Sequence, residues 1–150
     1  MTPKDQTHML AALAQAKLGN TMFGSVLVDQ GEVVAEAFNT VAQTNDPSAH
    51  AELNLIRDFC RTQNTTELSG FTLYTTAEPC PMCAALCAFT GVSEVVFAVS
   101  TTALAALEVP QISISCETVV SHGPTNVLVR GGVLREACLT HCKALSERNS

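Results

Sequence analysis

Charge is scarce in this sequence. Asp, Glu, Lys and Arg make up 15% of the 150 residues, against 47% hydrophobic residues, and the mean hydropathy is +0.23. That balance excludes a disordered chain and implies a compact, rather apolar globule, ordered except for a few residues at each end. Basic residues are the scarcest class. Eight Lys and Arg against fourteen Asp and Glu leave a net charge of −6 and a pI near 5.0, and the eight are scattered without a cluster. Such a chain repels phosphate backbones on average, so nucleic acid is not an expected partner. No apolar run reaches the roughly 18 residues that a membrane-spanning helix needs. The opening Met1-Thr2-Pro3-Lys4-Asp5-Gln6 has no basic-then-apolar signal pattern. Repeats, low-complexity tracts and linkers are also missing, so residues 1–150 read as a single domain, long enough for one core and too short for two. The seven cysteines, an odd number beside no export signal, read as reduced thiols in a cytoplasmic setting.

The apolar pattern sets out alternating helices and strands. Met9, Leu10, Leu13, Ala14 and Leu18 recur at helical spacing over residues 5–18, and Gly19-Asn20 stops that helix, glycine accepting positive φ there. Ser25–Asp29 and Glu32–Phe38 are strand-like around the tight turn Gln30-Gly31. Asp46-Pro47 announces a helix, with Asp as cap and Pro at the first position. His50 and Glu52 fall in its first turns, and Leu53, Ile56, Phe59 and Cys60 form its buried stripe. Gly70–Thr76 is a strand, Pro79 to about Phe89 a helix ending near Gly91, and Val95–Val99 a buried strand. One or two short helices are expected within 101–124, a last strand at Asn126–Arg130 and a last helix at Val133–Leu145. The alternation implies an α/β layer with parallel crossovers after the opening hairpin.

Two short motifs, 30 residues apart, carry chemistry. They are His50-Ala51-Glu52 and Pro79-Cys80-Pro81-Met82-Cys83. Together they supply three metal ligands and one carboxylate that need not bind metal, the set required to hold Zn²⁺ with one position open and to move protons beside it. Cys80 and Cys83, at i and i+3 of a helix start, can aim both sulfurs at one point, where a helix N-terminus also favours thiolates. Cys87, one turn on, is the natural fourth ligand of a closed site but would have to reach backwards, and reads as a buried apolar thiol. Cys138, His141 and Cys142 share a face of the last helix, a spacing more typical of core packing than of a second metal site. His8 and His122 have no partner that the sequence identifies.

Four stretches resemble the cytidine deaminase-like superfamily, in its nucleobase and tRNA-adenosine deaminase branch. They are Phe23-Gly24-Ser25-Val26, Phe38-Asn39-Thr40, Thr44-Asn45-Asp46-Pro47-Ser48-Ala49-His50-Ala51-Glu52, and Leu73-Tyr74-Thr75-Thr76-Ala77-Glu78-Pro79-Cys80-Pro81-Met82-Cys83. The last two are similar to guanine or guanosine deaminases. Val129-Arg130-Gly131-Gly132-Val133-Leu134-Arg135-Glu136-Ala137-Cys138 is more similar to the tRNA enzymes. The resemblance implies a three-layer α/β/α fold with a mixed five-stranded sheet, and a homodimer paired through helices near the site. It gives the zinc to His50, Cys80 and Cys83 and the proton shuttle to Glu52. It makes Asn39 a hydrogen-bonding partner of the substrate base, the alternative being a residue that closes a turn. It makes Phe23 a stacking partner, the alternative being a core residue, and the Ala51 backbone N–H a further substrate contact. The chain also departs from its relatives. Ser100-Thr101-Thr102-Ala103-Leu104-Ala105-Ala106-Leu107 carries no charge where the tRNA enzymes have a basic loop, and Met22 replaces a usual proline. The aromatic residues that close guanine deaminase sites late in the chain are missing, since there is no Trp and no Phe after Phe97. The leading expectation is hydrolytic deamination of a free nucleobase, nucleoside or related amino-heterocycle, guanine-like purines before cytosine. A tRNA wobble-adenosine deaminase and a non-catalytic zinc-binding dimerisation module are the alternatives. Residues 101–124 are expected to form one wall of the pocket.

Overall fold

The computed structural model describes residues 1–148. Its elements run α1 (Pro3–Leu18), β1 (Gly24–Asp29), β2 (Glu32–Phe38), α2 (Val41–Thr44), α3 (Ala51–Gln63), β3 (Thr72–Ala77), α4 (Pro81–Thr90), β4 (Glu94–Val99), α5 (Thr101–Ala106), α6 (Cys116–Ser121), β5 (Leu128–Arg130) and α7 (Arg135–Arg148). The five strands form one sheet in the order β2-β1-β3-β4-β5. β1 runs antiparallel to both β2 and β3, while β3, β4 and β5 are parallel. The expected hairpin is present. Gln30 and Gly31, at φ 50° and 80°, make the two-residue turn that matches the twist of paired strands.

Strand parity divides the core into two layers. Val26, Val28, Tyr74, Val96 and Ala98 point to one face and pack on α1, α5 and α7 through Met9, Leu13, Leu104, Leu139 and Cys142. Leu27, Leu73 and Val95, one residue out of phase, point to the other face and pack on α3, α4 and α6 through Leu55, Ile56, Ala84, Cys87 and Val120. This is the expected three-layer α/β/α arrangement with a mixed sheet. No helix among the described residues is long and apolar enough to cross a membrane.

Several local expectations need correction. α1 buries Met9, Ala12, Leu13 and Ala16, whereas Leu10 and Leu18 are exposed. Its stop uses Asn20, which takes the left-handed conformation at φ 53°, while Gly19 stays right-handed at φ −83°. Glycine is needed at 19 for space, because a Cβ there would enter the Phe38 ring. Asp46 does not cap α3. Its carboxylate accepts from the Ser48 N–H and hydroxyl two residues on, at 2.9 and 2.7 Å, closing a turn. α3 therefore starts at Ala51 with His50 as its N-cap, and its apolar face centres on Leu55 and Ile56, with Leu53, Phe59 and Cys60 half-buried. α4 likewise starts at Pro81, not Pro79. Proline disfavours helical backbone in the residue before it, which leaves Cys80 extended as the N-cap. The last strand shortens to Leu128–Arg130, and the last helix begins at Arg135 and runs on to Arg148.

Candidate active site

The site lies where β3 ends and α3 and α4 begin. His50 and Cys80 are the N-caps of α3 and α4, both with extended backbone, and Glu52 and Cys83 follow in the first turns. His50 Nδ1 is 3.5 Å from Cys80 Sγ and 3.8 Å from Cys83 Sγ. All three donor atoms lie within 4.8 Å of one another, and no further ligand joins the group among the described residues. Zinc bonds of about 2.3 Å to sulfur and 2.0–2.1 Å to nitrogen, set at tetrahedral angles, require donor separations of about 3.5–3.8 Å. The donor set fits that ion. Cys80 carries the most acidic thiol of the group. A hydrogen bond from the Cys83 thiol and another from His50 hold its pKa down to about 4, and the same contact with Cys80 raises His50. A thiolate is therefore available for metal at neutral pH.

Glu52 is 6% exposed, and burial pushes its carboxyl above the usual range. Its floor is polar. Ser25 and Thr75 face each other across β1 and β3, and Ser25 Oγ lies 2.9 Å from Thr75 Oγ1 and 3.4 Å from Glu52 Oε1. Gly24, just before Ser25, carries α1 so close that a Cβ would meet the Ala12 carbonyl and the Ala16 backbone nitrogen. That contact explains glycine in the Phe23-Gly24-Ser25 stretch.

A cavity of about 160 Å³ opens above these groups, lined by Phe23, Asn39, His50, Glu52, Ala77, Glu78, Cys80, Val109, Pro110 and Gln111. Phe23 packs against the core and also lines the cavity. Asn39 closes a turn, its Oδ1 accepting from the Val41 N–H at 3.0 Å, and it also lines the cavity. Ala51 is wholly buried and is not among the residues that line the cavity.

Sequence reasoning missed Asn54 and Glu78; Val109, Pro110 and Gln111 fall within residues 101–124, the region expected to wall the pocket. Asn54, buried on α3, donates to the Phe38 carbonyl and to Thr40 Oγ1, both at 3.0 Å, and so ties the Asn39 loop to the helix that carries Glu52. A polar residue on the buried side of a helical pattern was the available signal. Cys87 is fully buried in the core, as expected. Cys138 and Cys142 are core thiols, and His141 Nε2 pairs with the Thr21 carbonyl at 2.8 Å, so no second metal group forms there. His8 packs on Tyr74 with Nε2 3.2 Å from the Gly31 carbonyl, and His122 bonds within α6, 2.9 Å from the Thr118 carbonyl.

Comparison with known proteins places this arrangement. The chain is 39% identical over 90 residues to the tRNA-specific adenosine deaminase of Aquifex aeolicus, a match covering 57% of this chain and 60% of that enzyme. It is 34% identical to the guanine deaminase structure from Bacillus subtilis, covering 71% of this chain and 69% of that one at a TM-score of 0.65. The guanine deaminase structure from Nitrosomonas europaea has its fold, with a TM-score of 0.78 over 97% of this chain and 85% of that one at 22% identity. The chain thus spans about 60% or less of the length of several curated relatives it matches. The model of the cytidine and deoxycytidylate deaminase zinc-binding region matches residues 2–99, well over half of the sequence and the whole of the donor set, and the chain belongs to that family.

Proposed function

We propose that this protein is a zinc-dependent aminohydrolase that releases ammonia from an amino-heterocycle. The observation that carries the reading is a buried carboxyl, Glu52, beside a three-donor group at the floor of a ring-sized cavity. Zinc held by His50, Cys80 and Cys83 with one position open would supply Lewis acidity that ionises water at a pKa of about 7. Glu52 accepts one proton from the attacking water and passes it to a ring nitrogen, then takes the second proton from the oxygen now bonded to the ring carbon and delivers it to the amine as the C–N bond breaks. Burial suits it to both duties, since a raised pKa brings proton uptake and release closer to neutrality. Asn39 Nδ2 donates to an acceptor on the ring, and Phe23 covers its face.

The substrate class follows from size and charge. A cavity of about 160 Å³ is below the roughly 300 Å³ at which drug-sized pockets begin, so it holds one ring system. An outer groove of about 410 Å³ adjoins it, sharing His50, Cys80, Pro110 and Gln111, and leaves room for a sugar. Neither lining contains Lys or Arg, so an RNA backbone finds no counter-charge, and a free base or nucleoside is favoured over tRNA. Likeness to the Bacillus guanine deaminase puts guanine-like purines ahead of cytosine. The tRNA-adenosine reading keeps support from the Aquifex relative. A purely structural zinc module would bear the cost of burying Glu52 for no return.

The assembly we propose is a homodimer through the apolar groove of α3 and α4, where Leu53, Ile56, Cys60 and Leu86 surround a Phe89 that is 75% exposed. Sedimentation at monomer mass would remove that assembly. Seven free thiols suit a reducing compartment, here the cytoplasm. The activity is tested by ammonia release from guanine, adenine, cytosine and their nucleosides with zinc-loaded protein. At least one compound should react, and Glu52→Gln should lower that rate by about 10³-fold at unchanged zinc content. Silence from every compound would refute the reading.

A further inference from the structure

Glu78 lies two residues before Cys80, yet its bonds lead away from the donor group. Its Oε1 accepts from the Thr101 N–H and its Oε2 from the Cys116 N–H, each at 2.9 Å. Thr101 and Cys116 are the first residues of α5 and α6, whose N-cap serines, Ser100 and Ser115, take the N–H groups of Ala103 and Thr118. One carboxylate therefore completes two helix starts 15 residues apart and ties both to the strand end that carries the donors. Its own N–H donates to the Val99 carbonyl at 2.8 Å, which fixes the carboxylate's root between β3 and β4.

Residues 107–115 run between those two anchors, and Val109, Pro110 and Gln111 from this stretch line the cavity. The backbone N–H bonds recorded for the stretch stay local: Leu107 and Val109 to Leu104, Glu108 to Ala105, and Ile114 to Ile112. Leu107 and Val109 add apolar contact with the core. The Glu78 carboxylate is thus the polar link between this wall and the donor group. With an N–H on each oxygen it is also poorly placed to shuttle protons, which separates its role from that of Glu52. The wall's amide is Gln111, half-buried, with Nε2 on the Pro110 carbonyl at 2.7 Å, bordering both cavity and outer groove.

We infer that Glu78 is a positioning residue that holds Val109, Pro110 and Gln111 over the donor group, and that this wall, through Gln111, selects which ring enters. The inference rests on the aminohydrolase reading for its kinetic half only. Glu78→Gln keeps one carbonyl oxygen for one N–H and turns an NH₂ against the other, so one tie is lost. Glu78→Asp keeps the charge but shortens the reach.

The test pairs amide hydrogen exchange with steady-state kinetics on the zinc-loaded full chain. In Glu78→Gln, exchange at Thr101 or Cys116 and through 107–115 should quicken about tenfold or more, with zinc content at the wild-type level. KM for the best ring should rise about tenfold while kcat stays within about threefold, the signature of lost ground-state binding. Glu78→Asp should lie between wild type and Glu78→Gln, and it carries the test if the amide variant fails to fold. Unchanged exchange would overturn the clamp. Loss of zinc, or an equal fall of kcat on every ring at constant KM, would overturn the positioning role. If wild-type protein turns over no ring, the aminohydrolase reading falls, and the exchange result still decides whether Glu78 holds the wall.

Discussion

Up to Val99 the chain places its donor group and Glu52 with regular structure. His50 and Cys80 are the caps of two helices, and Glu52 and Cys83 sit in the first turns behind them. Beyond Val99 the residues that reach the cavity come from a stretch between two six-residue helices, held by a carboxylate that belongs to the earlier part. The family match also stops at residue 99. The contrast teaches that the two parts answer to different constraints. Metal ligands must converge to tenths of an ångström, which helix starts on a packed sheet provide. A wall that chooses among rings needs shape and a few polar groups, and a tethered segment supplies them at low structural cost.

The largest expected break falls on the first part. Cys83→Ser should lower zinc affinity by about 100-fold or more, read by competition with a chelator, because it removes a soft ligand from a three-donor set. Gln111→Ala should leave zinc affinity unchanged in the same assay. If both variants lose zinc alike, the division between the two parts is wrong.

Gly24→Ala comes next. Its Cβ would run into the Ala12 carbonyl and the Ala16 backbone nitrogen, so α1 must move off the sheet. A loss of about 3 kcal/mol in urea unfolding is expected. A loss under about 0.5 kcal/mol would show that the helix yields freely.

The smallest effect tests the weld between the parts. Asp5 of α1 is buried and takes a bidentate pair from Arg130 of β5, both contacts at 3.0 Å, with Tyr74 Oη donating at 2.7 Å. The Arg130 guanidinium holds the Asp5 carboxyl well below the usual carboxylate range, against the opposing effect of burial. A folded-state pKa below the unfolded one stabilises the native state above about pH 4, and that stability is lost as pH falls through the folded value. Asp5→Asn should therefore cost about 2 kcal/mol at pH 7, with the difference from wild type shrinking progressively below about pH 4. Turnover should be unaffected, since neither Asp5 nor Arg130 lines the cavity. A difference that grew on acidification would contradict the assigned charge state.

How much was legible in the sequence follows the same division. The hairpin, the alternation of strands and helices, and the i, i+3 pairing of Cys80 with Cys83 rest on short-range rules of turn, period and spacing, whereas His50, 30 residues from Cys80, joins them through the family resemblance. The starts of α3 and α4 were misplaced by four and two residues because an aspartate and a proline each had a second use: Asp46 closes a turn on Ser48, and Pro79 precedes an extended cap. The turn that Asn39 closes on Val41 is one of the two readings the sequence left open for it. Glu78 gave no sign of its task because its partners, Thr101 and Cys116, are 23 and 38 residues away. Tethers of that length obey no periodicity.

Turnover of one panel of bases and nucleosides by wild type, Glu52→Gln and Gln111→Ala, measured as kcat/KM for each compound at equal zinc content, tests the division of labour most directly. The expected result is that Glu52→Gln lowers every reactive compound by a similar factor of about 10³, while Gln111→Ala changes their order. A uniform fall with Gln111→Ala, or a reordering with Glu52→Gln, would contradict the assignment of chemistry to the first part of the chain and selection to the second.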